Sequence, residues 1–437
     1  MRSAKSRIVS LIDHEHILRA LRYRNYRLFF FGQGISLIGT WIQQVALGWL
    51  VYTLTNSPFL LGVVGFASLF PSFFVTPFAG VLIDRWDRHR MLLVTQTLEM
   101  MQAFVLAFLI FTGSIQVWHI IILSLFIGFI TAFDAPARQS FVVEMVEKKE
   151  DIGNAIALNS FLFNGARLIG PSIAGVLIVV LGEGPCFLIN GISFIAVIWA
   201  LLTMDLPRER MAPKRAHLLK ELKDGITYAF GFLPIRAILM LLGLLSFVGM
   251  PYGILLPVFA KVVLGGGADI YGFLLASSGL GALAGVLYLA SRKNILGLSR
   301  VIAISCGIFG LGLVGFAFST IFWVSSVFMF LTGFATMVQM ASSNTVIQTI
   351  VEDDKRGRVM SFFVMAFLGM TPFGSLIAGW SADRIGAPHT IMACGILSSL
   401  GALVYAARLS EIRKSIRPVY VKLGIISEIP QKKIAGG

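Results

Sequence analysis

Twelve apolar runs constrain this chain more than any single motif does. They fall at 27–53, 58–83, 91–111, 115–136, 155–181, 185–204, 236–260, 270–290, 300–318, 321–343, 359–381 and 388–407. An α-helix rises 1.5 Å per residue, so about 20 residues cross a hydrocarbon layer of ~30 Å. Each run is near that length. Only 13% of the residues are charged, against about 25% in a soluble domain. The expected fold is an all-α membrane protein with twelve transmembrane helices.

The charges sort by loop. Lys and Arg number 36 against 22 Asp and Glu, a net charge of +14. In a soluble protein that excess would raise the question of nucleic acid. Here the cations sit between apolar runs, in "DRWDRHR", "KKED", "SRK", "DDKRGR" and "EIRKSIR". The intervening loops carry only Lys261 and Arg384. By the positive-inside rule both termini are expected in the cytoplasm. The chain then divides into an arm over 1–25, a six-helix half over 26–204, a linker over 205–235, a second half over 236–408 and a basic tail over 409–437. Within the linker, Leu218, Leu219, Leu222, Ile226 and Phe230 recur at helical spacing, so 217–230 reads as an amphipathic surface helix. No cleavable signal peptide is expected, because the first run is too long and follows a long basic segment. Cys186, Cys306 and Cys394 show no zinc or disulfide spacing. The cluster Asp13 to His16 could bind metal, but Leu11, Ile12, Ile17 and Leu18 around it favour an interfacial segment. No metal and no cofactor are expected.

The halves are related. Gly170, Gly175 and Gly182 match Gly374, Gly379 and Gly386 at an offset of 204, and Gly153 matches Gly357. "AGVL" recurs at 79–82 and 284–287. A parallel repeat of six-helix halves is a transporter architecture, with the substrate held between the halves near the midplane.

The loop after the second run reads "GVLIDRWDRHRML". It resembles the cytoplasmic signature of the major facilitator superfamily, with Gly80, Asp84, Arg85, Arg88 and Arg90 in the signature places and Asp87 where a second glycine is common. A carboxylate at a helix end can pair with a cation or a helix N-terminus, so this loop is a candidate gate. "TAFDAPARQSF" adds Asp134 and Arg138 to it, and Pro136 is expected to break the fourth helix. The place of an arginine often found in the superfamily's fourth span is taken by Ser124. The fifth run, with Gly165, Gly170, Pro171 and Gly175, is similar to the superfamily's antiporter signature. Together with "NAIALNSFLFNGARLIGP" and "RGRVMSFF", these stretches resemble the exporter branch that includes the enterobactin exporter and macrolide-efflux relatives. The resemblance implies spans one, four, seven and ten around a central cavity. Polar stripes on those spans supply candidates: Gln33, Ser36, Thr40 and Gln44; Ser124 and Thr131; Thr332, Thr336, Gln339 and Ser343. Tyr252, in a span broken by Gly249, Pro251, Gly253 and Pro257, is expected at the ligand, with Trp41, Trp49 and Tyr52.

Arg167 stands in the middle of the fifth run. A charge there is costly without a partner. It shares a face with Ser160 and Asn164, and two arrangements suit it. Glu99, in the third run, could be its counter-charge and the proton site. Alternatively Arg167 holds an anionic substrate.

These features predict a secondary transporter of the inner (plasma) membrane, a monomer surrounded by lipid. It would export an amphiphilic, siderophore-like or drug-like small molecule by alternating access in exchange for protons. No GxxxxGK[ST] loop is present, and no HExxH or GxSxG, so neither ATP hydrolysis nor an enzyme is expected. A lipid or lysolipid flippase, or a non-transporting sensor on the same fold, are the alternatives.

Overall fold

The computed structural model describes residues 18–83, 86–205, 227–292, 294–352 and 355–426, with the backbone alone over 76–83. Twelve spans are present: α1 (Arg24–Thr55), α2 (Pro58–Ile83), α3 (Arg88–Phe111), α4 (Val117–Glu144), α5 (Ile152–Leu181), α6 (Glu183–Leu202), α7 (Leu233–Val263), α8 (Ala268–Ala290), α9 (Leu298–Phe318), α10 (Phe322–Ile350), α11 (Arg356–Ile385) and α12 (Ala387–Ala407). A further helix, α13 (Leu409–Lys422), follows them. No strand occurs among the described residues. The amphipathic stretch 217–230 lies outside them except for 227–230, which are helical.

Packing repeats with a period of six helices. In the first six, α2 packs on α4, and α3 on α4 and α6; in the last six, α8 packs on α10, and α9 on α10 and α12. The joints repeat as well. Gly182 (φ +82°) links α5 to α6, and Gly386 (φ +85°) links α11 to α12. Both take the left-handed region, which glycine enters without a Cβ clash.

Two spans are irregular. After Leu233–Leu244, α7 passes through a π turn at Leu245–Gly249, a 3-10 turn at Met250–Leu255 and a second π turn at Phe259–Val263. Pro251 and Pro257 lack the N–H that a continuous ladder needs. In α11 the regular helix stops at Leu368 and restarts at Thr371. Pro136 does not break α4, contrary to the sequence expectation. The helix runs on to Glu144, because Ala137, Phe141 and Val142 are buried against Phe29, Met91 and Leu201. That packing holds two further turns in place, and neighbouring helices offset the lost bond.

The end of the bundle holding Tyr23 and Asp205 is called the near end, the opposite one the far end. At the near end Ala20 N donates to Asn154 Oδ1 (3.0 Å), and the Tyr23 hydroxyl donates to Asp151 Oδ2 (2.9 Å). Burial, then the Asp151 carboxylate, raise the Tyr23 pKa above the usual tyrosine value. The chain after α12 is not a plain basic tail. Ile412, Ile416 and Tyr420 recur at helical spacing and are buried, while Arg413, Lys414 and Arg417 stay at the surface.

Candidate functional site

The first six helices meet the last six along α2–α11 and α5–α8. Both crossings are backbone contacts made by glycine. A Cβ on Gly62 would lie 2.6 Å from the Ser375 carbonyl oxygen, and one on Gly379 would lie 2.8 Å from Gly62 Cα. On the other side, a Cβ on Gly175 would meet Ala268 O at 2.9 Å, and one on Gly272 would meet Gly175 Cα at 2.9 Å. Small residues let helices approach closely in a membrane. Of the antiporter-like motif, Gly175 and Pro171 face α8, Gly170 faces Trp41 and Ile38 of α1, and Gly165 opens to free space.

More contacts join the halves at the far end. Lys261 Nζ donates to Asn56 Oδ1 (3.1 Å) and lies 5.3 Å from the Tyr52 ring. Trp49 stacks on Tyr271 with centroids 6.5 Å apart. Trp49 and Tyr52 are therefore buried in this closure. The other two predicted aromatics, Trp41 and Tyr252, both lie near Arg167. The Arg167 guanidinium lies 6.0 Å from the Trp41 ring, which meets Phe163 edge-on at 6.1 Å. Arg167 also acts electrostatically on the Tyr252 hydroxyl, which has Ser278 beside it.

The polar stripes divide. Thr40, Gln44 and Thr131 are exposed, whereas Gln33 and Ser36 are buried. Ser124 is buried with no hydrogen-bond partner. Its neighbour Gly128, one turn on, packs on Ser68 and Pro71 of α2. Asn164 is buried and donates to Ser160 O (2.8 Å), while Ser160 is exposed. Thr332 and Gln339 are buried, Gln339 donating to Ser343 Oγ (3.3 Å); Thr336 is half-buried and donates to Thr332 O.

Glu99 and Arg167 do not pair. Helix α3 packs on α4 and α6, whereas α5 packs on α1 and α8, so the two side chains belong to different sides of the first half. Glu99 instead shares a cluster with Asp134. Asp134 is buried and accepts from Thr95 Oγ1 (2.9 Å) and Gln96 Nε2 (2.8 Å), with Arg138 at 3.7 Å. The same Gln96 amide nitrogen lies 3.5 Å from Glu99 Oε2, and its Oε1 is buried without a partner. Reversing the amide would aim that oxygen at two carboxylates, so the observed orientation is the favourable one. Further out, Arg88 pairs with Glu144, and Arg90 with Asp87 at 3.7 Å. Gly80 lies within α2; Asp84 and Arg85 lie outside the described residues.

One network had no place in the polar stripes. Gln43 Nε2 donates to Gln102 Oε1 (2.9 Å), and Asn190 Nδ2 donates to Gln43 Oε1 (2.8 Å). It ties α1 to α3 and α6. Gln43 sits one position before Gln44, 100° round the helix, so the stripe containing Gln44 excluded it. Lone amides in three separate apolar runs were the available signal.

A family profile described as transmembrane secretion effector matches residues 17–419. The chain belongs to that family. Among curated relatives, the staphyloferrin A transporter of Staphylococcus aureus is 28% identical over 87% of this chain and 95% of its own length. Macrolide efflux protein A of Streptococcus pyogenes is 24% identical over 90% and 98%. The multidrug efflux pump Tap of Mycolicibacterium fortuitum is 23% identical over 87% and 95%. Among solved structures, the nucleoside transporter NupG superposes with a TM-score of 0.66 at 14% identity, covering 89% of this chain and 98% of its own. A POT family transporter gives 0.72 at 12% identity, over 89% and 96%. The chain is thus a multi-pass membrane transporter of major facilitator type with efflux-type relatives, and not an enzyme.

Proposed function

We propose that the protein exports an amphiphilic small molecule by alternating access, with its termini in the cytoplasm and protons as the driving ion. The observation that carries this reading is the pair of glycine crossings, which join the halves from midplane to the far end. A closed far end with exposed polar residues on α1 and α4 is what one state of such a cycle requires. The names of the relatives support a siderophore- or macrolide-like cargo.

Glu99, Gln96 and Asp134 are the proposed proton site. Two carboxylates share one amide donor and have Arg138 in their field. Like charges so close disfavour double ionisation. A proton on either one relieves that repulsion. Arg88 and Glu144 at the near end would then open and close with Asp84 and Arg85 as the gate.

A lipid or lysolipid flippase is the second reading, favoured by one feature. A groove of about 720 Å³ opens between α3 and α4, lined by Val94, Leu98, Phe126 and Phe129, with Trp86 and Arg90 at its near-end mouth. Proteoliposomes with an imposed proton gradient test the reading. Gradient-driven flux of a labelled macrolide or siderophore supports export. Flip of a labelled lysolipid alone supports the flippase, and flux of none removes transport.

A further inference from the structure

Arg167 stands 15 residues after Ile152 and 14 before Leu181 on α5, so about 21 Å of helix separates it from the nearer end. Snorkelling cannot carry its head group that far. Arginine keeps its charge in proteins, and a charge at this depth needs a partner or water. None of the ion pairs among the described residues involves it. The side chain is half-buried, so it is neither sealed in the core nor free in lipid.

What surrounds the guanidinium is specific. Trp41 presents its ring at 6.0 Å, with Phe163 edge-on behind it. From the other half comes Tyr252, on the irregular part of α7. Next to it lies Ser278, which is 2% exposed and whose hydroxyl faces that of Tyr252. Gly279 brings the α8 backbone against the Arg167 carbonyl oxygen, where a Cβ would stand 3.1 Å away. A cation, a buried hydroxyl and three rings therefore converge where the two halves meet. Arginine matches the fork of an acidic group, and ring faces take up a flat apolar frame.

We propose that Arg167 binds the acidic group of the transported molecule, so that the cargo is an anionic amphiphile: a carboxylate or phosphate on an aromatic or otherwise flat frame. Ser278 donates to the same acidic group, and Trp41 with Phe163 packs on the frame. The assignment rests on the export reading above. It names the class of cargo.

The test measures binding to the purified full-length protein with three probes on one dansyl frame: dansylglycine, its methyl ester and dansyl-ethylenediamine. Wild type is expected to bind the acid about tenfold more tightly than the ester, a difference of ~1.4 kcal/mol, and the cation most weakly. Arg167→Gln equalises acid and ester while the ester affinity stays at its wild-type value, which also shows that the variant is folded. Arg167→Lys keeps part of the preference. Trp41→Leu weakens acid and ester together and leaves their ratio unchanged. Displacement of the acid probe by oleoyl lysophosphatidate places the anionic group on a membrane lipid, and displacement by a soluble aromatic carboxylate places it on a free metabolite; both support the site. Equal affinities in wild type, no measurable binding of the acid, or an acid preference that survives Arg167→Gln overturn it. Flux separates the two claims. An acid preference without any proton-driven flux defeats export and leaves the anion site; flux of the ester without an acid preference does the reverse.

Discussion

At the far end α2 crosses α11 through Gly62 and Gly379, and α5 crosses α8 through Gly175 and Gly272. The device is the same, backbone against backbone. Towards midplane the two seams diverge. Beside α2–α11, Phe66, Phe70 and Phe73 close around Phe373 with centroids 5.8–6.2 Å apart. That stretch of the seam is apolar, and the hydrogen bond from Ser57 Oγ to Asp383 Oδ1 (3.4 Å) lies at its far-end tip. Beside α5–α8 stand Arg167, Tyr252 and Ser278 instead. An apolar seam can slide or rock without breaking a hydrogen bond, whereas a polar seam changes its energy when something binds. On the proposed reading, the pivot lies at α2–α11 and the ligand at α5–α8.

The largest effect is expected where the seams agree. Leucine at Gly175 or at Gly379 forces a side chain into backbone. Overpacking costs about 1–3 kcal/mol, a shift of about 5- to 150-fold in a two-state equilibrium. Each variant should lose most proton-driven flux in proteoliposomes at undiminished yield. Normal flux from either would mean that its crossing does not close.

Next come the acidic residues on α3 and α4. Glu99→Gln and Asp134→Asn should each flatten the pH dependence of flux while leaving the preference for an acidic probe intact, because the cluster lies apart from α5–α8. A changed preference with pH dependence preserved would reverse the roles given to the two regions. Asp134→Asn should also lower thermal stability, since hydrogen bonds to a charged group are worth about 1.5–3 kcal/mol against about 1 for neutral ones.

A smaller effect separates pivot from ligand site. Phe373→Ala should destabilise by less than the about 3–5 kcal/mol of a fully buried phenylalanine, because Phe373 is half-buried. Its ratio of acid to ester binding should match wild type. A changed ratio, measured with the same probes, would show that the aromatic seam also touches cargo.

The smallest lies outside the seams. Between α10 and α11, the hydrogen bond from Lys355 (2.6 Å), then its charge, hold the Glu352 carboxyl below its usual range. A folded pKa below the unfolded one means that the contribution is complete above roughly pH 4.3 and fades as pH falls through the folded value. The loop is exposed, so Glu352→Gln should lower the melting temperature only slightly at neutral pH, and not at all in strong acid.

The sequence was informative where a rule acts on many residues at once. Twelve spans follow from hydropathy alone, and the glycine joints at Gly182 and Gly386 follow from the repeat. It was informative about Arg167 because an intramembrane charge is rare. The partner of Arg167 was not legible. Sequence distance says nothing about which side of a half a helix faces, and α3 and α5 face different ways. Nor was Gly62 legible, since the repeat pairs α5 with α11 and leaves the crossing partner on α2 unmarked. The extension of α4 past Pro136 depends on burial of Phe141 and Val142, which local proline chemistry cannot reveal.

The central claim is that the glycine crossings hold the far end shut and that the two ends open in opposition. Cys186, Cys306 and Cys394 are buried, which favours selective spin labelling of introduced surface cysteines. Pulsed electron paramagnetic resonance can follow one pair at the far end, Ser114→Cys with Thr320→Cys, and one at the near end, Glu150→Cys with Asn294→Cys. All four positions are exposed. On adding Gly175→Leu, the far-end distance should lengthen while the near-end distance shortens. Distances that stay as in wild type, or that lengthen at both ends together, would contradict the account.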